Sequence, residues 1–410
     1  MRPFPPPAPD FYSRDAILEH VRHTLGFYEP RAIDPSGGFF HFLKDDGTVA
    51  DAHTRHLVSS TRHVFVWAMA ARHFPDEPAY RDNLRRAVAF LRDAHRDARS
   101  GGYLWELRWR DGRAALIDDT QHCYGLAFVL LAYAHALMAG MREAHAWLDE
   151  TFALMEQRFW QDEHGLYADE ATPDGTLSGY RGQNANMHAV EACLAAFEAT
   201  GQARYLDRAA LVAEHICVRQ AALTDGLMIW EHYRADWSVD WDYNRGDMSN
   251  IFRPWGYQPG HFTEWAKLLL ILERHRPRDW LLPRAQALFE RAFERAWDSD
   301  HEGLYYGFGP DFAICDDRKY HWVQSESLAA AAVLGQRTGE RRYWAWYERL
   351  WAYCWRHWID HEHGAWFRLL RCDNVNTTDL KSPAGKVDYH TTGACYEVLA
   401  ALTAARNASR

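Results

Sequence analysis

Six short turns recur along this chain, each joining one or two glycines to an aromatic or apolar pair: SGGFF at Ser36, SGGYLWEL at Ser100, HGLYADE at His164, DGLMIWEHY at Asp225, EGLYYGF at Glu302 and HGAWFRL at His363. Their first glycines, Gly37, Gly101, Gly165, Gly226, Gly303 and Gly364, are spaced by 64, 64, 61, 77 and 61 residues. A period of this length marks an architectural repeat, whose units bury their apolar faces only by stacking on one another. Before each turn stands an amphipathic segment with charges on one face, at 14–27, 79–96, 142–159, 205–218, 282–297 and 341–358. After each turn and a variable loop comes a segment that is apolar almost all round, as in GLAFVLLAYAHAL from Gly125, AVEACLAAFEAT from Ala189 and SLAAAAVLG from Ser327. A helix apolar on every side is a buried helix. Alternation of the two classes predicts an all-α fold, an (α/α)6 barrel of six inner and six outer helices. Short β-hairpins are expected in the connecting loops, where WEL, LYAD, MIWEHY, LYYGF and WFRL stand. An open solenoid is the alternative, and six units without a distinct capping unit favour closure.

The unbroken period makes residues 12–406 one catalytic barrel domain, preceded by a proline-rich segment at 1–11 expected to be disordered or extended. That segment lacks the apolar core of a secretory signal, so a cytoplasmic location is expected. A net charge of −10 with no basic tract speaks against a nucleic-acid partner, and no apolar run approaches the ~20 residues that span a bilayer. The seven cysteines are scattered, and Cys123, Cys193, Cys217 and Cys395 fall in apolar helical stretches, which reads as buried thiols without a disulfide framework. Aromatic residues make up 14% of the chain, including 19 Trp. Flat rings suit the faces of sugars, although most serve helix packing. The sequence is compatible with a homo-oligomer.

The starts of the inner helices carry the chemistry. STRHVF holds Arg62, DTQHCYG holds His122 and Tyr124, QNANMH holds Asn184 and His188, PGHFTEW holds His261 and Glu264, YHWVQSE holds Trp322 and Glu326, and DYHTTG holds His390. Any one histidine here would read as a cap or a satisfied core group. Six polar starts on otherwise apolar helices point instead to a shared mouth. Asn184 and His188 are four apart, and His261 and Glu264 three apart, so each pair shares a helix face and is expected to hydrogen-bond, with Glu264 fixing the tautomer of His261. The positive helix ends favour neutral imidazoles, which serve as bases at neutral pH. His53, His56 and His63 are expected to pack rather than react. The H-E-x-x-H and C-x-x-C spacings are absent, as are G-x-G-x-x-G and the Walker lysine, so neither a metal nor a nucleotide cofactor is expected. Glycoside hydrolysis through paired carboxylates among Asp118, Asp119, Glu264 and Glu326 is a competing reading; imidazoles suit proton transfer beside a carbonyl better.

These segments resemble the N-acylglucosamine 2-epimerase superfamily over residues 12–404, and FRPWGYQPGHFTEWAKLLL from Phe252 is most similar to its D-mannose isomerase branch. The resemblance implies an (α/α)6 barrel and a metal-independent isomerase that interconverts an aldose and a ketose, D-mannose and D-fructose foremost, through ring opening and a cis-enediol(ate). It implies that His261, backed by Glu264, opens the ring and that His390 moves the C2 proton to C1. Arg62 and His188 would hold the oxygens on C1 and C2, Asn184 and Glu326 sugar hydroxyls, and Trp322 a stacking face, with Tyr124 and His122 at the border. A sugar 2-epimerase is the alternative, His261 then acting as a second base across the ring. The long fourth step places a polar, aromatic loop at 236–252, and a second long loop spans 372–387; a lid over the mouth is one reading of such loops, and a surface excursion or dimer contact the other.

Overall fold

The two helix classes alternate as their burial patterns require. The computed structural model describes residues 5–247, 249–250 and 252–408. Among these, outer and inner helices follow in six pairs: α1 (Arg14–Tyr28) and α2 (Leu57–His73), α3 (Pro78–Phe90) and α4 (Cys123–Met138), α5 (Ala144–Phe159) and α6 (Gln183–Thr200), α7 (Ala203–Glu214) and α8 (Pro259–His275), α9 (Leu281–Ala296) and α10 (His321–Thr338), and α11 (Arg341–His357) and α12 (Tyr389–Ala408). On α2 every residue from Leu57 to Ala71 is buried, whereas α9 buries a single stripe through Leu281, Ala285, Leu288, Phe289, Ala292, Phe293 and Ala296. Each even-numbered helix packs on the next, and α12 returns to α2, so the inner ring is closed and the open solenoid is excluded. The outer helices α3, α5, α7, α9 and α11 each pack on the inner helix that precedes them, and α1 packs on α12. The fold is an (α/α)6 barrel.

The turns orient all six inner helices alike. Five of the glycine turns are closed by antiparallel bridges, at Ile33–Phe39, Arg96–Tyr103, Trp160–Tyr167, Trp297–Leu304 and Ile359–Trp366. The turn at Gly226 is instead a 3-10 segment, Asp225–Leu227. Buried cation–carboxylate pairs clamp three turns to the strand ahead of an inner helix: Arg55–Asp34 at 2.5 Å, Lys319–Asp298 at 2.7 Å and Lys381–Asp360 at 2.5 Å. At two turn residues a side-chain amide of an inner helix bonds both backbone groups, Asn186 on Tyr167 and Gln324 on Leu304. Removing one partner of such a buried ion pair leaves an uncompensated charge and costs about 3–5 kcal/mol.

A rim of short strands, two to five residues long, laces each unit to its neighbour. The segment before an inner helix pairs with the segment after the following turn: Thr54–His56 with Glu106–Arg110, Gln121–His122 with Glu170–Ala171, Arg181–Gly182 with His232–Tyr233, Tyr257 with Phe308, and Lys319–Tyr320 with Leu369–Leu370. Leu380–Ser382 pairs with Phe42–Lys44, joining the last unit to the first. At the N-terminus, residues 5–10 carry no regular secondary structure. Phe11 stacks on Trp351 of α11 at 4.0 Å, and the Trp355 indole donates to the Pro6 carbonyl at 2.7 Å. The first four residues of the 1–11 segment lie outside the described residues. Among the described residues no helix is long and apolar enough to cross a membrane.

Candidate active site

The inner helices open onto one mouth, which holds a cavity. Its wall is made by the first turns of the ring: Arg62 from α2, Tyr124 from α4, Asn184 and His188 from α6, His261 and Glu264 from α8, Trp322 from α10 and His390 from α12. Two of the sequence-expected residues do not line it. Glu326 lies beneath His390 and touches its ring rather than the cavity. His122 borders an adjoining polar recess, where its ring packs on Trp105 at 3.9 Å and its Nδ1 lies 3.6 Å from Glu170. The recess and the cavity share Tyr124, Asn184 and Phe252.

The His390 tautomer follows from its partners. Nδ1 lies 2.7 Å from Glu326 Oε1, and the other oxygen of that carboxylate accepts from the Lys267 ammonium at 2.5 Å. Nε2 lies 3.3 Å from the Arg62 guanidinium. A guanidinium only donates, so Nε2 is the acceptor and the ring proton sits on Nδ1. Burial, reinforced by the positive charges of Arg62 and Lys267, holds the imidazole well below its usual pKa. His390 is therefore neutral with a lone pair on Nε2.

His261 has a different partner from the one its helix spacing suggests. Its Nδ1 lies 2.9 Å from Glu231 Oε2, while Glu264 makes no hydrogen bond to it. The Gln183 amide also donates to Glu231, at 2.9 Å, and is held in that orientation by the Trp265 indole, which donates to its oxygen at 2.7 Å. The reason is position on the helix. His261 is the third residue of α8, and side chains lean toward a helix's N-terminus, so its ring reaches past the helix start to the loop residue Glu231, just ahead of the strand His232–Tyr233. The Asn184–His188 pair also fails to form: Asn184 Oδ1 is unpartnered, and His188 Nδ1 bonds Glu191 Oε2 at 2.8 Å. Tyr389 donates to the other oxygen of Glu191. Burial alone would raise the Glu191 carboxyl, yet the bonds from His188 and Tyr389 and the Lys267 charge hold it at about 2.

Arg62 lies between the rings of Phe128 and Tyr389, 4.5 and 4.6 Å from their centroids, and donates to the Gly385 carbonyl and, at 3.4 Å, to the Tyr124 hydroxyl. Glu264 is 1% exposed and both of its carboxyl oxygens lack a hydrogen-bond partner. Burial and the neighbouring Glu326 charge raise its pKa well above the carboxylate range, so it enters the cavity wall as a neutral acid. Trp322 packs against both imidazoles, with ring centroids 5.1 Å from His261 and 5.7 Å from His390. Among the described residues two sets could offer ligands to a metal ion: the buried His188 and Glu264 with the half-buried Glu191, and the buried Glu264, Glu326 and His390. In the second set the Lys267 ammonium already stands against Glu326.

Both long loops contribute to the wall. From 236–252, of which Met248 and Ile251 lie outside the described residues, Phe252 lines the cavity and lies 5.9 Å from the His56 ring. From 372–387 come Pro383, Ala384, Gly385 and Lys386. His56 and His63 are buried packing groups, while His53 is exposed at the strand edge. Glu231, Glu191, Lys267, Arg368 and Phe252 are site residues that the helix starts alone did not disclose. Glu191 was within reach of the same i, i+3 rule. Glu231 and Arg368 share a repeat position with Trp105 and Asp169: each carbonyl accepts from the first N–H of an inner helix, those of Leu57, Cys123, Gln183 and His321 in chain order.

Comparison with known proteins agrees with this architecture. A D-mannose isomerase from Marinomonas mediterranea is 51% identical over 396 residues, covering 96% of this chain and 99% of that protein. A D-mannose isomerase from Thermobifida fusca is 38% identical over 369 residues, covering 87% of this chain and 86% of that protein. The crystal structure of a D-mannose isomerase superposes with a TM-score of 0.92 at 51% identity, over 96% of this chain and 99% of the other. The sequence pattern described as N-acylglucosamine 2-epimerase (GlcNAc 2-epimerase) matches residues 38–394. With that coverage and a closed ring of helices around paired histidines, this chain belongs to the N-acylglucosamine 2-epimerase family.

Proposed function

We propose that this chain is an aldose–ketose isomerase that interconverts D-mannose and D-fructose by proton transfer. The observation that carries the reading is His390: a neutral imidazole with its Nε2 lone pair on the cavity, beside a guanidinium and above a carboxylate that fixes its tautomer. Deprotonation next to a carbonyl needs a positioned base and a donor for the charge that develops on oxygen. His390 removes the proton from C2 of the open-chain sugar and returns it to C1. Arg62 stabilises the enediolate oxygens, and one such preorganised donor is worth about 2.7–4 kcal/mol; His188, whose Nδ1–H is spent on Glu191, accepts from a sugar hydroxyl at Nε2. Glu264, protonated in the wall, exchanges a proton between O1 and O2. His261, oriented by Glu231, opens the pyranose by protonating the ring oxygen. Asn184 and Arg368 hold the remaining hydroxyls, and Trp322 packs on the sugar face. The reading is supported by full-length similarity to proteins named D-mannose isomerase.

The same two imidazoles suit a 2-epimerase if His261 reprotonates C2 from the other face. Incubation with D-mannose in D2O separates the two. The isomerase forms fructose, with part of the original C2 hydrogen retained at C1. Glucose as the sole product overturns the isomerase reading, and turnover by His390→Asn at the wild-type rate overturns the base assignment.

A further inference from the structure

The floor of the cavity contains a lysine that the reaction as written does not use. Lys267 on α8 is buried, and its ammonium donates to Glu326 Oε2 at 2.5 Å while Glu326 Oε1 faces His390 Nδ1 at 2.7 Å. The three groups form a row from α8 through α10 to α12. Behind the row lies a second cavity, lined by Lys267, Glu191, Glu326 and Tyr389 together with Leu194 and Ile271. Lys267 thus stands in the partition between two chambers.

We propose that Lys267 is the positioning residue that sets the tautomer of His390, by holding Glu326 as a carboxylate that only accepts hydrogen bonds. This inference rests on the reading of His390 as the C2 base. Glu326 shares the floor with two other carboxyl groups, Glu191 and Glu264, and like charges in a buried cluster drive one another to take up protons. Lys267 offsets this. Without it, Glu326 takes a proton and can donate to His390 Nδ1, which moves the ring proton to Nε2. Nε2–H would then face the Arg62 guanidinium, donor against donor, and the base would be lost with every side chain still in place.

Charged and titratable groups face this row from all six inner helices: Arg62 on α2, Tyr124 and His135 on α4, His188 and Glu191 on α6, His261 and Glu264 on α8, His321 on α10, and Tyr389 and Glu397 on α12. Around the row stand two cations, Lys267 and Arg62, and the carboxyl groups of Glu326, Glu191, Glu264 and Glu397. Removing Lys267 leaves an excess of negative charge, so the Glu326–His390 pair binds a proton more readily. The acid limb of the kcat/KM profile must then move to higher pH.

The test uses the full-length Lys267→Met and Lys267→Ala variants with D-mannose. Lys267→Met should lose about 100-fold in kcat with KM within about threefold, and its acid limb should rise by about one pH unit, the scale of losing one charge partner within ~4–6 Å. In Lys267→Ala the truncated site opens onto the rear cavity. Ethylammonium should there restore kcat at least ~10-fold, as the cation the geometry demands, while ethanol should not. If Lys267→Met fails to fold, the ethylammonium rescue of Lys267→Ala decides the matter. A kcat within threefold of wild type with an unmoved acid limb, or rescue by ethanol equal to that by ethylammonium, overturns the proposal. His390→Asn, assayed alongside, isolates the other failure: if it turns over normally, it is the base assignment that falls.

Discussion

The Glu231→Gln variant probes the partner that the structure gives to His261. Glu231 is 3% exposed and its Oε2 lies 2.9 Å from His261 Nδ1. When His261 carries the extra proton during ring opening, it is an imidazolium whose charge centre sits roughly 4 Å from the carboxylate. At an effective dielectric constant of ~20 that attraction is about 4 kcal/mol. A glutamine keeps the size and one hydrogen bond but removes the charge, and part of the loss is recovered by the dipole that remains. A net loss of about 3 kcal/mol corresponds to a decrease of roughly 150-fold in kcat/KM. The gene product should still fold, because Gln183 and the backbone pairing of His232 with Gly182 remain. The informative assay compares D-mannose with D-mannose deuterated at C2, following fructose formation. If Glu231 serves ring opening, that step becomes limiting in the variant and the primary isotope effect shrinks toward unity. A variant within threefold of wild type, or one that slows while keeping the full isotope effect, would refute the assignment of Glu231 and His261 to ring opening.

Three further outcomes are expected. Arg62→Lys should lower kcat by about 10- to 100-fold with a smaller change in KM, since one ammonium cannot bond Gly385, Tyr124 and His390 together or lie flat between Phe128 and Tyr389; kcat within threefold would remove Arg62 from the charge-stabilising role. Gly303→Ala should cost about 2 kcal/mol or more of stability, measured by denaturant titration, with kcat preserved, because Gly303 has φ of +82° and an added Cβ would collide with the Tyr353 ring; an unchanged midpoint would contradict this. Burial pushes His20, His56, His63 and His135 down to about 3. The unfolded chain takes up these protons below about pH 6.5 while the folded chain does not, so stability is full above that pH and falls with acidification, by up to about 1.4 kcal/mol per pH unit for each histidine. Calorimetry should show Tm dropping steeply between pH 6.5 and 5, and a flat Tm there would show that these rings are hydrated or paired in the fold.

The helical ring was legible because two signals coincided: the period of the glycine turns, and the contrast between one-sided helices such as α9 and the all-apolar α10. The strand rim was not. Two- and three-residue strands such as Arg181–Gly182 are too short to show alternation, and the closing pair joins Leu43 to Ser382 across almost the whole chain. Within the site, the residues at helix starts were legible because six helices pointing one way must bring their first turns together. Their partners were harder. The i, i+3 rule offered Glu264 to His261 and Glu191 to His188, and only the second bond forms. His188 is the sixth residue of α6 and has helix on both sides of it, whereas His261 at the third position of α8 overhangs the helix end and finds a loop residue.

That loop residue was nevertheless marked in the sequence, by the turn rather than by the helix. Trp105, Asp169 and Arg368 each stand four residues after the first glycine of their turn, and Glu231 five after Gly226. All four accept a hydrogen bond at their carbonyl from the first N–H of the inner helix one unit earlier. This backbone bond fixes the residue at the mouth whatever its side chain is, so each of these four units supplies two chemical positions, one at the helix start and one after the turn. The helix-start ring holds His188, His261 and His390; the turn ring holds an indole, a carboxyl, the carboxylate behind His261 and a guanidinium on the cavity wall. Because the backbone places the turn position, exchanging its side chain leaves the barrel's lacing in place. Substitutions at Trp105 and Arg368 should therefore alter KM and substrate range far more than Tm, whereas Asp169 also accepts the Gly182 N–H with its side chain and is expected to cost stability as well; a loss of folding in Arg368→Ala would show that the position is structural.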